Sequence, residues 1–196
     1  MKLFIIRWEE MNFKVKIYLT TVTIVAILLG IFLYNNYFIE ISLLDFIFFS
    51  TILFLTNNLS IFFNDNEIVT TINVPIILPL IVLYGPFWTA FILLVGSIKI
   101  KTRKNGSLVW YKFLFNRSLS FINAGFAALT YQYASHIFSF SNNLLPMFLA
   151  FVIYMISNIT MMIILIYLLN NQSVTSYFKN ISKTSIFSYF LGLLIY

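Results

Sequence analysis

Asn116, Asn123 and Asn158 are the side chains of this sequence best placed to do more than fill space. Each is an uncharged amide with donors and an acceptor, and each falls in a long apolar stretch where water cannot satisfy it. Asn123 lies seven residues beyond Asn116, two helical turns along the same face. Asn158, with Thr160 nearby, sits in the middle of the last long apolar run. An amide at such a depth needs a partner. Bonding to another helix is the commoner use and ligand contact the rarer one. Two charges are also placed inside apolar stretches. Arg117 stands near one end of its stretch, and Asp45 about one turn inside another. For Asp45 an interfacial carboxylate reaching water is the first reading and a buried functional acid the second.

Other chemistries lack their residues. The sequence contains no P-loop, no glycine-rich dinucleotide fingerprint, no nucleophile elbow and no paired carboxylates. The absence of cysteine rules out disulfides, thiolate metal sites and cysteine nucleophiles. A single histidine, His136, rules out a histidine metal cluster and reads as a residue of a surface loop. No catalytic residue, metal or cofactor is therefore expected, and the chain by itself is not expected to be an enzyme.

The elements that hold the asparagines follow from composition. Of 196 residues, 61% are hydrophobic and 9% charged, against about 25% charged in a soluble domain. The charges cluster between long apolar runs, the layout of a chain whose solvent is lipid. The abundance of Phe, Ile, Tyr, Asn and Lys carries no weight alone, because AT-rich codons produce the same bias. The net charge of +6 reads as topological information, since Lys and Arg accumulate in cytoplasmic loops. Nucleic acid is not an expected partner.

Residues 1–16 form a basic and aromatic interfacial segment, with Trp8 at headgroup level. Residues 17–196 form one helical transmembrane domain. The first span is expected over residues 17–38; it is too long for a signal peptide and lacks a small-residue cleavage site. Within it Ala26 and Gly30 make a small-xxx-small pair suited to close helix approach. A second span covers 41–63, and Asn64, Asp65, Asn66 and Glu67 make a polar loop. The apolar stretch 68–98 is broken by Pro75, Pro79 and Gly85-Pro86. The basic residues of 99–104 mark a cytoplasmic loop, so the stretch before it must cross an even number of times, as a hairpin turning at Gly85 and Pro86. Its arms, ~20 Å each against ~30 Å of hydrocarbon, need shielding by other helices. Spans at 110–134 and 144–169 follow, joined by an uncharged loop at 135–143. Residues 186–196 begin a further helix too short to cross, which reads as a chain ending inside a helix.

From Asn73 onward, the order of features resembles the N-terminal membrane domain of bacterial signalling proteins that carry a cytoplasmic HD-GYP phosphodiesterase or GGDEF cyclase domain. The resemblance rests on Leu83-Tyr84-Gly85-Pro86, Ala90, the basic loop at 99–104, Lys112-Phe113-Leu114-Phe115-Asn116, and Leu144-Leu145-Pro146 leading to Tyr154 and Asn158. Arg117 departs from it, standing where small residues are usual. The resemblance implies a sensory or anchoring half, separate from its catalytic output half.

The expected fold is thus an all-α, polytopic membrane protein with about six transmembrane helices, including the short Gly-Pro hairpin, and a truncated seventh. The expected function is a sensor or anchor module of cyclic-dinucleotide signalling in the plasma membrane, with its N-terminus cytoplasmic. The alternative is a substrate-binding subunit of an energy-coupling-factor importer. Lipid is the expected partner, self-association stays open, and the sequence names no ligand.

Overall fold

The computed structural model describes residues 8, 11–58, 61–62, 69–70, 74–98, 110–138 and 144–170. Helix α1 spans Phe13–Tyr37 and α2 spans Leu43–Asn58. Two short strands, β1 (Ile61–Phe62) and β2 (Val69–Thr70), pair antiparallel. Helices α3 (Val74–Gly96), α4 (Trp110–Ile137) and α5 (Leu144–Asn170) follow. The described fold is therefore helical, with one two-residue strand pairing that periodicity did not foretell.

Helix α1 begins four residues before the expected span. Asn12 caps it, its side chain accepting from the Lys14 amide at 3.1 Å. A capping asparagine followed by good helix formers outweighs the charges of Lys14 and Lys16, so the last part of the segment assigned to 1–16 is helical. Helix α2 is shorter than the span expected at 41–63. The adjacent Asn57 and Asn58 end it, their amides bonding the carbonyls of Leu53 and Phe54 and reaching across to α3 at Gly96 and Ile98. Asparagine competes with the helix for backbone partners, which is why a pair of them stops one. Helix α4 runs past the expected end at Ala134. Ser135 and His136 therefore lie in its last turn and not in a loop.

Trp8 packs on Trp110 and Tyr111, with ring centroids 5.0 and 5.9 Å away, so α1 and α4 start at the same, basal, end of the bundle. They run side by side in the same sense: Tyr18 meets Phe115, Gly30 meets the Phe121 ring, and Gly125 meets Leu29 and Leu33. The small residues make this approach possible. A methyl group on Gly125 would lie 3.0 Å from Leu29. Helix α5 returns in the opposite sense, from Leu149 beside Tyr133 at the distal end to Met161, whose carbonyl accepts from the Tyr18 hydroxyl at 2.7 Å.

Helix α3 is broken at Gly85, whose φ of 66° and ψ of −173° are non-helical. Its first arm carries Ile77, Leu78 and Ile81 against Ala127, Ala150 and Phe151. Its second arm descends beside α2. Tyr84 lies on Phe49, Trp88 on Phe46, and Gly96 on Ser50 and Leu53. Trp88 also donates its indole N–H to the Ile39 carbonyl, just beyond α1. The pairing of β2 with β1 holds the start of the first arm near the basal end of α2.

Among the described residues three helices are long and apolar enough to cross a membrane, Phe13–Tyr37, Ile76–Gly96 and Leu144–Leu169, the second of them counted across its break at Gly85. Helix α2 is apolar but short, and α4 carries more polar residues. The described residues thus hold five helices, one of them in two arms, and three candidate spans where six were expected. The polar loop at 64–67, the basic loop at 99–104 and the partial helix at 186–196 lie outside the described residues. Large apolar side chains such as Ile24, Ile27, Leu28, Leu44 and Phe48 are exposed, as lipid-facing residues would be.

Candidate functional site: a polar bridge inside the bundle

Asn123 is 1% exposed and lies where three helices converge on α4. On one side α1 brings Gly30 to Phe121, on another the first arm of α3 brings Ile77 to Ala127, and α5 closes the third. The residues around it on α4 are small: Ala124, Gly125, Ala127 and Ala128, all buried. Small side chains bring backbones close, and in lipid that proximity is the main source of helix association.

Into this contact α5 presents two polar neighbours. The Asn123 amide donates to the Asn158 side-chain oxygen at 3.1 Å, and the Ser157 hydroxyl donates to the Asn123 oxygen. Donor and acceptor of one buried amide are both used, by adjacent residues of the facing helix. The group contains no acid or base, so it offers hydrogen bonding and register but no proton transfer. Sliding α5 by one residue would replace both partners with apolar side chains or misaim them.

Of the three candidate asparagines, Asn123 and Asn158 are brought together, and Asn116 is not part of the bridge. Asn116 is exposed, its carbonyl accepting from the Ser120 hydroxyl at 2.9 Å. Two turns along one helix face keep a residue in line but do not keep the neighbours constant. At the level of Asn116 the packing on α4 comes from α1, through Tyr18 on Phe115, while the three-sided enclosure begins higher up. Thr160 is likewise exposed. Ser157 was missed by sequence reasoning, for a physical reason. Hydroxyls in apolar helices usually bond their own preceding turn, as Ser120 and Thr130 do here, so a lone serine carries no signal of a cross-helix role.

The break at Gly85 frames the other end of the site. Its φ and ψ fall in a region essentially reserved for glycine. Pro86, without an amide hydrogen, starts the second arm where none is needed. The Thr89 hydroxyl donates to the Gly85 carbonyl at 2.7 Å and ties the corner. Around it stand Tyr34, Phe38, Phe46, Phe87, Trp88 and Phe91, with centroid separations of 5.1–5.9 Å between neighbouring rings. Asp45 lies here, at the distal start of α2. Arg117 places its guanidinium 4.2 Å from the Phe113 ring centroid, a cation–π contact on its own helix. Among the described residues no group of three or more His, Cys, Asp or Glu could hold a metal.

Neither the curated proteins nor the solved structures gave a match. A family model named MASE9, for a family of membrane-associated sensor domains, matches residues 74–196, which takes in α3 with its Gly85 break, all of α4 and α5, and the polar bridge between them. That match extends over more than half of the chain, and the chain belongs to the MASE9 family of membrane-associated sensor domains.

Proposed function

We propose that this chain is the membrane sensor of a signalling protein whose cytoplasmic output domain makes or degrades a cyclic dinucleotide. The observation that carries the sensor reading is the family match over residues 74–196. The output is supported by the ordered motifs from Leu83-Tyr84-Gly85-Pro86 to Asn158, which resemble membrane domains joined to HD-GYP or GGDEF domains. The polar bridge suits the task. It fixes α4 against α5 by directional bonds rather than by apolar contact alone, so the pair has a preferred register that a stimulus can shift. No observation favours the importer reading.

The bundle is proposed to be multi-pass in the plasma membrane, with its basal end, carrying Lys14, Lys16 and Lys112, facing the cytoplasm. Because the chain lacks cysteine, single cysteines report sidedness cleanly. An impermeant maleimide added to intact cells is expected to label His136→Cys and to spare Asn105→Cys; the reverse pattern would overturn the orientation. For the output, purified residues 1–196 are expected to turn over no cyclic dinucleotide, whereas expression of the complete gene should change the cellular cyclic-dinucleotide level. A complete gene that encodes no cyclase or phosphodiesterase and leaves that level unmoved would sink the reading.

A further inference from the structure

After Glu67 the sequence contains no aspartate or glutamate, yet it carries eight lysines and arginines. Two of them, Lys112 and Arg117, stand on α4, and Arg117 is the deeper. It lies seven residues from Trp110, about 10 Å further into the bundle. Trp110, Leu114 and Arg117 follow one another at helical spacing and share one face of α4. Trp110 and Leu114 are exposed, while Tyr111, Phe115, Ser118 and Leu119 on the other side are buried. The face is therefore open at the basal end, where a membrane would place lipid.

A guanidinium on such a face needs a counter-charge. Long helical side chains lean toward the N-terminus of their helix, and the Arg117 head lies 4.2 Å from the Phe113 ring centroid, one turn down. The charge is thus carried back toward the level of Trp110, as in a snorkelling arginine. The Phe113 ring attracts the cation without neutralising it. The Nε of Arg117 is enclosed and unbonded, whereas its two terminal nitrogens are neither enclosed nor bonded to a described residue. Those two are the atoms a ligand can reach. Among the described residues the only carboxylates, Glu40 and Asp45, lie at the distal end. Below the guanidinium, Trp110 packs on Trp8, and the Lys16 ammonium stands 5.9 Å from the Trp8 ring centroid. A two-pronged cation thus sits above a pair of indoles, with a second cation beside them.

We propose that the face of α4 formed by Trp110, Leu114 and Arg117 is a binding site for one anionic phospholipid. The terminal nitrogens of Arg117 grip its phosphate, the bidentate geometry that guanidinium favours. Trp110 lies at the glycerol level, and Leu114 meets the first methylenes of an acyl chain. Zwitterionic lipids offer the same phosphate, but a chain region with eight bases and no acid favours a headgroup that is negative overall. Such a site needs the membrane, but neither the output domain nor a particular sidedness.

The test is native mass spectrometry of the whole chain, stripped of lipid in detergent and titrated with phosphatidylglycerol or with phosphatidylcholine of the same acyl chains. The first phosphatidylglycerol is expected to bind about fivefold more tightly than phosphatidylcholine, the preference that one base confers near an anionic surface. Arg117→Leu should remove that preference. Arg117→Lys should lose part of it, because an ammonium cannot grip two oxygens at once. Lys14→Gln, which removes an exposed base at the same end, should leave it unchanged. Equal binding of the two lipids, or undiminished preference in Arg117→Leu or Arg117→Lys, would overturn the site. So would an equal loss in Lys14→Gln, which would show diffuse attraction, or displacement of the lipid by inorganic phosphate, which would show a soluble anion as the ligand. Where Arg117→Leu fails to fold, Arg117→Lys carries the test of position, and the comparison of lipids uses the unaltered chain. Failure of the lipid site leaves the sensor reading in place, since cyclic-dinucleotide control is measured separately on the complete gene.

Discussion

Helices α2 and α4 lie in one bundle and obey opposite rules. In α4, every residue from 118 to 128 except Ser120 and Phe126 is buried. In α2, only Ser50, Leu53 and Asn57 are, and Leu43, Leu44, Ile47, Phe48 and Leu55 are exposed. Yet α2 is the more apolar of the two, while α4 carries Asn116, Arg117, Asn123 and several serines. A fold in water would place them the other way round, with the apolar helix inside. Lipid tails are as apolar as leucine, so burying an apolar side chain among helices gains little there. What must be sheltered are amides and backbones brought close by small residues. The central helix is therefore the one with alanine, glycine and asparagine.

The largest test of that contrast is where Gly96 brings α3 close against α2. A methyl group on Gly96 would lie 2.5 Å from the Leu53 Cβ and 3.1 Å from the Ser50 carbonyl oxygen, neither of which can move without moving α2. Gly96→Ala is expected to cost about 3 kcal/mol and to pull Asn57 away from the Gly96 carbonyl. Thermal unfolding in detergent should show a clearly lowered midpoint. An unchanged midpoint would mean that α2 rides loosely on the bundle and that its contact with α3 contributes nothing.

Next comes the Gly85 corner. Here nothing lies within 4 Å of an added methyl group, so crowding is not the issue; the positive φ with extended ψ is. Gly85→Ala is expected to lower stability by about 2 kcal/mol. Comparing it with Gly96→Ala separates strain in the backbone from collision between helices, because removing the opposing Cβ, as in Leu53→Gly, should help only the second.

The polar bridge should give a smaller and coupled effect. Asn123→Leu and Asn158→Leu are each expected to cost about 1 kcal/mol. The double substitution should cost less than the two single losses added, since both remove the same bond. Strict additivity would show that the amides do not bond each other in the folded protein.

The smallest effect is expected at Asn116→Leu. Its side chain is exposed, so the change in stability should stay within about 0.5 kcal/mol. A loss matching that of Asn123→Leu would mean that another segment covers Asn116 in the membrane, and the contrast between the two asparagines would fall.

The sequence by itself determined the helical character, because long apolar runs with clustered charges admit few alternatives when lipid is the solvent. It also determined the break at Gly85-Pro86, since no other residue pair so clearly refuses a continuous helix, and it singled out Asn116, Asn123 and Asn158 as amides in need of partners, of which Asn116 is exposed. Helix ends were partly legible: Asn12 as a cap and Asn57-Asn58 as a stop are local chemistry, although hydropathy began the first span four residues late and ran past the end of the second helix. Only the tertiary structure decided which asparagine was buried. Asn116 and Asn123 share a helix face, and their environments differ because three neighbours converge at one level and not at the other. Ser157 as a partner of Asn123 was beyond any local pattern. A side chain's partner across a bundle depends on the crossing of helices distant in sequence, and one residue of register changes it entirely.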